Sequence, residues 1–176
     1  MEKYIALLRG VNVGGKNIIS MPRLKAAFSD VVTYIQSGNI LFCSEDKDAA
    51  ALQQECRRII ADSFGLDIPV AVISAKDLRD ALTHAPEWWD SGTDAKHNAI
   101  FVIAPATAED IIEKVGEAKP EYERVAWHGP VIFWTAPLET FSRTRWSKVS
   151  SASVYGSITI RNANTAKKLL KLSEQQ

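Results

Sequence analysis

The chain has 176 residues, 46% of them hydrophobic, and its 21 basic and 21 acidic side chains give a formal net charge of zero. That is enough chain to bury a core unaided, as one domain or two small lobes, and it carries no global field that would draw it onto nucleic acid or an anionic membrane. The Met-Glu-Lys start lacks a secretory apolar segment, no apolar run approaches membrane-spanning length, and Cys43 and Cys56 have no CxxC spacing, so the expectation is a cytoplasmic protein whose cysteines are reduced packing residues.

In chain order, Tyr4 to Leu8 is an apolar run short enough for a buried strand, and it feeds the loop Arg9-Gly-Val-Asn-Val-Gly-Gly-Lys-Asn17. Ser20 can cap a helix with Leu24, Ala27 and Phe28 inward, Pro22 being tolerated in its first turn, and ending near Asp30. Val32 to Gln36 and Ile40 to Cys43 read as a hairpin around Ser37-Gly38-Asn39. Asp46 can cap the next helix, whose buried face is Leu52, Cys56, Ile59, Ile60 and Ser63, and Gly65 stops it. Ile68 to Ser74 is a further strand, and Ala75 to His84 a connecting helix, followed by the loop that carries Trp88 and Trp89.

The same order then recurs. His97 to Ala104 is a strand, and Thr107-x-x-Asp110 opens a helix with Ala108, Ile111, Ile112 and Val115 inward. Glu123 to Trp127 and Val131 to Thr135 pair around His128-Gly129-Pro130. A less regular helical stretch spans Leu138 to Val154, Ser157 to Arg161 is the last strand, and a helix capped by Asn164 runs from Thr165 with Leu169 and Leu170 buried. The predicted class is therefore α/β (α+β), two ferredoxin-like βαββαβ lobes with a connecting helix and a C-terminal helix. The lobes are expected at residues 1–75 and 96–176, joined by 76–95.

This topology groups residues that are distant in sequence. In a βαββαβ lobe the loop after the first strand and the hairpin between the second and third share one end of the sheet. Arg9 to Asn17 is thus expected beside Gln36-Ser37-Gly38-Asn39, and the region of Ser142 to Arg145 at the same end as Arg161 to Thr165.

Four stretches carry a resemblance: Tyr4-Ile-Ala-Leu-Leu-Arg-Gly-Val-Asn-Val-Gly-Gly-Lys-Asn, Thr33-Tyr-Ile-Gln-Ser-Gly-Asn-Ile-Leu-Phe, Pro86-Glu-Trp-Trp and Ile160-Arg-Asn-Ala-Asn-Thr. Through them the chain resembles the bacterial domain-of-unknown-function family number 1697 over nearly its whole length. The resemblance implies a two-lobed α/β fold with ferredoxin-like halves and implies no reaction.

The residues themselves point to an anion. Glycines let backbone approach a ligand and bare their amides, and Arg9 and Lys16 suit phosphate or carboxylate. Residues 10–17 match the phosphate-loop template except at Asn17, which replaces the magnesium-binding Ser or Thr, and the following helix is delayed to Ser20, so a nucleoside triphosphatase is disfavoured. The expected ligand-binding set is Arg9, Asn12, Gly14, Gly15, Lys16 and Asn17, then Gln36, Ser37 and Asn39, and finally Arg161, Asn162, Asn164 and Thr165 at the N-terminus of the last helix. The competing readings are a Gly-rich crossover that satisfies its own turn, ordinary hairpin chemistry for Ser37-Gly38-Asn39, and a plain N-cap for Asn164.

The partner expected is a phosphorylated or nucleotide-like small molecule. The alternative is an RNA- or protein-binding module without catalysis, for which Arg143, Arg145 and Lys148 around Trp146 would suit a nucleic-acid backbone with base stacking, although a solvated helix face is the commoner meaning of such a cluster. His84, His97 and His128 show no HxxxH or HExxH spacing, so no metal site is predicted, and no cofactor or reaction is named.

Overall fold

The computed structural model describes residues 1–46 and 48–175. The chain divides into two compact units, the first Met1–Leu78 with the chain from Leu169 onward, the second Arg79–Lys168. The first unit contains β1 (Glu2–Leu8), α1 (Met21–Ala27), β2 (Val32–Tyr34), β3 (Asn39–Ser44), α2 (Ala49–Phe64) and β4 (Val70–Ser74). Helix α3 (Ala75–Thr83) leads into the second, which contains β5 (Ala95–Val102), α4 (Ala108–Val115), β6 (Arg124–His128), β7 (Val131–Pro137) and β8 (Ile158–Asn162), and α5 (Ala163–Gln175) follows.

Each unit has a four-stranded antiparallel sheet, ordered β2-β3-β1-β4 in the first and β6-β7-β5-β8 in the second. These are two copies of the ferredoxin-like order, with the first strand of each copy central. A central strand has neighbours on both edges and cover on its faces, and Tyr4 through Leu8 are all buried accordingly. One apolar cluster in the first unit gathers Ala6, Leu8, Leu24, Ile40, Cys56, Ile60 and Val70, and its counterpart in the second gathers Ile100, Ile111, Ile132, Trp134, Trp146 and Ile158. An antiparallel sheet in each unit is not the parallel strand-loop-helix frame of a phosphate-loop enzyme.

Several local expectations are confirmed by named bonds. The Ser20 hydroxyl accepts from the Arg23 N–H at 3.3 Å, Gly65 closes α2 in the left-handed conformation, and Thr107 and Asp110 form a reciprocal capping box.

Others are corrected. Helix α2 is capped by Asp48, whose side chain accepts from Ala50 N–H at 2.9 Å, while Asp46 accepts one step earlier from Asp48 N–H. On that helix Gln53 is buried and Ser63 exposed, because the contact face is set by Leu52, Cys56 and Ile60 and turns away from Ser63 at the last turn. Strand β2 stops at Tyr34 because Ile35 has φ 49°, which breaks the extended backbone before the turn. Cys43 is exposed rather than packed, and both cysteines are free thiols. Burial pushes the Cys56 thiol up to about 12, which removes thiolate chemistry from it.

In the second unit the stretch after β7 is three 3-10 segments, Phe141–Arg143, Trp146–Ser151 and Ser153–Ser157, instead of an α-helix. Glu123 explains part of this. Its buried carboxylate accepts the backbone N–H groups of Arg145 at 2.7 Å and Trp146 at 3.1 Å, pinning the chain where a regular helix would need those donors for itself. Helix α5 begins at Ala163, two residues before the expected start, and its cap is Asn162, whose Oδ1 accepts from Thr165 N–H at 2.8 Å. Asn164 lies inside the first turn, and Leu170 is half-buried beside the fully buried Leu169.

Candidate ligand-binding sites

In the first unit, the expected meeting of the glycine loop with the β2-β3 hairpin is present. Asn12 Nδ2 donates to the Gln36 carbonyl at 2.8 Å and to the Ile19 carbonyl at 2.9 Å, while its Oδ1 accepts from Ile19 N–H at 2.8 Å. Leu8 N–H donates to the Gly38 carbonyl at 2.9 Å. Asn12 therefore spends both amide hydrogens and its oxygen on the chain itself. Asn17 Nδ2 donates to the Gly10 carbonyl at 3.1 Å, and the buried Asn39 donates to the Tyr34 carbonyl and the Ser37 hydroxyl.

The loop is a miniature hairpin. Val13 pairs with Lys16, and Gly14 and Gly15 at the tip take φ of 59° and 73°, the signature of a type I′ turn. A Cβ on either tip glycine would meet nothing within 4 Å, so conformation and not crowding demands glycine there. What the loop offers a ligand is its exposed rim, Gly14, Gly15, Lys16, Asn17 and Gln36, with Arg9 half-buried at its base and Ser37 half-buried in the adjacent turn.

In the second unit β7 and β8 run parallel to each other on either side of β5, and their ends at Pro137 and Asn162 pair with Ala95 and Asn98 at the start of β5. A hollow of about 760 Å³ opens at this end, lined by residues that include Lys96, His97, Asn98, Asn162, Asn164 and Lys167. It lies at the N-terminus of the 13-residue α5. Lys167 is ion-paired with Asp90, which also lines the hollow, and His97 Nδ1 is 2.9 Å from the Thr135 hydroxyl. The first-turn amides of a helix lack intrahelical acceptors, and the helix dipole adds partial positive charge at this end, although Asn162 already takes the Thr165 N–H.

The other expected members of this edge lie elsewhere. Arg161 is buried, with its guanidinium donating to the Thr159 hydroxyl at 3.0 Å and the Ile160 carbonyl at 2.9 Å, and burial lowers its pKa to about 10. It remains a cation at neutral pH, inside the unit. Thr165 is likewise buried, its N–H held by Asn162. A second, smaller hollow of about 350 Å³ includes Trp88, Glu121, Tyr122, Glu123 and Arg124 in its lining, while Trp89 is buried edge-on against Phe133.

Trp146 is fully buried, its indole N–H donating to the Gly116 carbonyl at 3.2 Å, so it offers no face for base stacking. Lys96 and His97 were missed by sequence reasoning. Each reads as an ordinary polar position at a strand start, and the only signal that could have selected them is their register opposite Ala136 and Thr135, next to the strand that ends in Asn162.

Residues 1–133 match the family model described as Protein of unknown function (DUF1697). A solved structure, that of a conserved bacterial protein from Streptococcus pneumoniae, is similar over 98% of each chain at 28% sequence identity with a TM-score of 0.86. No curated protein matches the chain.

Proposed function

Because the chain belongs to the DUF1697 family of proteins of unknown function, its chemistry has to be argued from its own residues, and we propose that it binds an anionic small molecule, phosphorylated or nucleotide-like. The observation that carries this reading is the hollow at the start of α5. It combines a volume within the range of small-molecule sites with Lys96, His97, Lys167 and the Asn98, Asn162 and Asn164 amides. Asparagine amides and helix amides supply orientation, and the cations supply charge. In this reading a bound phosphate displaces Asp90 from Lys167, exchanging one carboxylate for another anion at little net cost.

The exposed Lys16 and the Gly14-Gly15 tip form a second basic edge, in the first unit, for the same class of ligand. Asn12 and Asn39 hold that edge in shape and are not counted among its ligand contacts.

The test is calorimetric titration of the protein with inorganic phosphate, nucleoside mono- and triphosphates and an uncharged nucleoside. Binding of a phosphorylated compound that falls about tenfold or more in Lys167→Ala, as loss of one charge-assisted bond predicts, supports the hollow. Equal binding of the uncharged nucleoside, or affinity unchanged in Lys167→Ala and reduced in Lys16→Ala, removes it as the site.

A further inference from the structure

Asp80, His84 and His128 come together at the opposite end of the second unit's sheet from the hollow. The register runs from Ala95–Pro137 at the hollow to Phe101–Val131 beside the β6-β7 turn, six strand residues or about 20 Å away. Asp80 lies on α3, His84 follows the helix directly, and His128 ends β6. One potential ligand atom from each of the three lies within 4.8 Å of the others. The fold thus assembles what sequence spacing concealed: Asp80 and His84 stand four residues apart on one helical face, and His128 is 44 residues further along the chain.

We propose that Asp80, His84 and His128 form a binding site for a divalent transition metal of the zinc class. Two imidazoles and one carboxylate are a donor set suited to zinc, nickel or iron(II), and poorly suited to calcium or magnesium, which take oxygen ligands. His84 Nδ1 lies 2.9 Å from the Asp80 backbone carbonyl and so carries its hydrogen there. That is the outer-shell bond that metal-binding histidines make; Nδ1 also lies 3.4 Å from Asp80 Oδ1, so His84 coordinates through Nε2 where Nδ1 keeps that hydrogen and through Nδ1 where it gives it up.

His128 Nε2 lies 2.7 Å from Asp80 Oδ2, so the two atoms share one hydrogen and part by a fraction of an ångström when each takes a place on an ion. Metal binding takes the place of that hydrogen: His128, a neutral imidazole as a metal ligand, carries its single hydrogen on Nδ1 instead, and the Nε2 and Oδ2 lone pairs turn to the ion. The two rings stack at 4.2 Å with 6° between their planes, and parallel planes cannot both contain one ion, so coordination requires one ring to rotate. His84 is exposed and His128 half-buried, which leaves room for that rotation. Three protein ligands leave at least one position open to water or a further ligand.

The experiment uses the full chain, stripped with chelator, and titrates Zn(II) alone by calorimetry, with Co(II) absorption as a second readout and Mg(II) as the oxygen-site control. One zinc per chain, with visible Co(II) ligand-field bands, is expected. His84→Ala and His128→Ala should each weaken zinc more than the 10–100-fold, roughly, that loss of an outer-shell partner causes. His97→Ala and Cys43→Ser, which alter the third histidine and the exposed thiol, should leave it unchanged. Circular dichroism confirms that the variants are folded. No zinc binding by the wild type, equal Mg(II) binding, or zinc binding that survives His84→Ala and His128→Ala overturns the proposal.

Discussion

The indole N–H of Trp134 donates to Glu123 Oε2 at 3.1 Å inside the second unit, joining a core tryptophan to a carboxylate that is itself only 3% exposed. The same carboxylate takes backbone N–H groups from Lys119, Arg145 and Trp146. One side chain thereby satisfies donors from three separate segments, which is how a strand, a turn and an irregular 3-10 run are held in register without a regular helix.

Glu123→Ala should therefore be among the most damaging single changes in this unit. An unsatisfied buried donor costs about 1–3 kcal/mol, and stranding even two of the four puts the loss at about 3–5 kcal/mol. Glu123→Gln, which turns one oxygen into a donor facing donors, should also destabilise, by about 2 kcal/mol or more. Urea denaturation of the three proteins measures both; a Gln variant as stable as wild type would mean that the carboxylate is not the organising acceptor.

Glu123, which the sequence shows only as the first residue of a strand, marks which parts of this molecule are legible in sequence. Apolar patterns located the strands and the cores of the α-helices, because burial on one face is a local constraint, and the repeated βαββαβ order implied both sheets, whereas the helix expected over Leu138 to Val154 is three 3-10 segments. The Thr107-x-x-Asp110 box was legible because both partners sit three residues apart. Glu123 reads as one more polar residue at a strand end, since its donors lie 4, 11, 22 and 23 residues away.

The same limit hid Asp80, His84 and His128, and it placed the α5 cap on Asn164 when Asn162 fills that role two residues earlier. Of the candidate ligand residues, the rim around Lys16 and the pair Asn162 and Asn164 lie where a ligand can reach, whereas Asn39, Arg161 and Thr165 are buried. Polar type is visible in a sequence; accessibility is decided by neighbours that are not.

Within the glycine loop, shape and chemistry should separate by mutation. A Cβ on Gly38 would sit 2.7 Å from Val11 Cγ2 and 2.9 Å from Leu8 Cβ, at φ 75°. Gly38→Ala should then cost about 2–5 kcal/mol, combining left-handed strain with overpacking. Asn12→Ala, which removes three bonds to Ile19 and Gln36, should lower the melting temperature by several degrees. Lys16→Ala should leave it within about 1 °C, as surface changes away from such features do. A large drop in Lys16→Ala with none in Asn12→Ala would reverse these assignments.

Acid should act on α4 through its capping box. The backbone N–H of Thr107, and then the Thr107 hydroxyl, hold the Asp110 carboxyl below the ordinary aspartate range. A carboxylate with a depressed folded-state pKa contributes stability that is complete above its unfolded value, near pH 4, and that is lost as pH falls through the folded value. Thermal denaturation of wild type and Asp110→Asn should show a difference at neutral pH that closes on acidification below about pH 4. A gap that persists unchanged down to about pH 2 would show that Asp110 acts by some route other than its charge.

The ion pair of Lys167 with Asp90 gives the sharpest test of the anion reading, because it makes opposite predictions for its two members. Lys167 is half-exposed and Asp90 is 29% exposed, so the pair itself contributes about 1 kcal/mol or less to folding and either residue can be changed without unfolding the unit. If Asp90 occupies the place a phosphate would take, it competes with the ligand, and its charge also repels an incoming anion. Asp90→Asn should therefore tighten phosphate or nucleotide binding, by about threefold to tenfold for an interaction of roughly 0.7–1.4 kcal/mol, while Lys167→Ala weakens it. Raising the salt concentration should shrink both effects, since the pair is only partly buried. Calorimetry on the two variants and the double variant completes the cycle: if Asp90→Asn binds no better than wild type, the ion pair is a structural clasp on α5 and the ligand sits elsewhere.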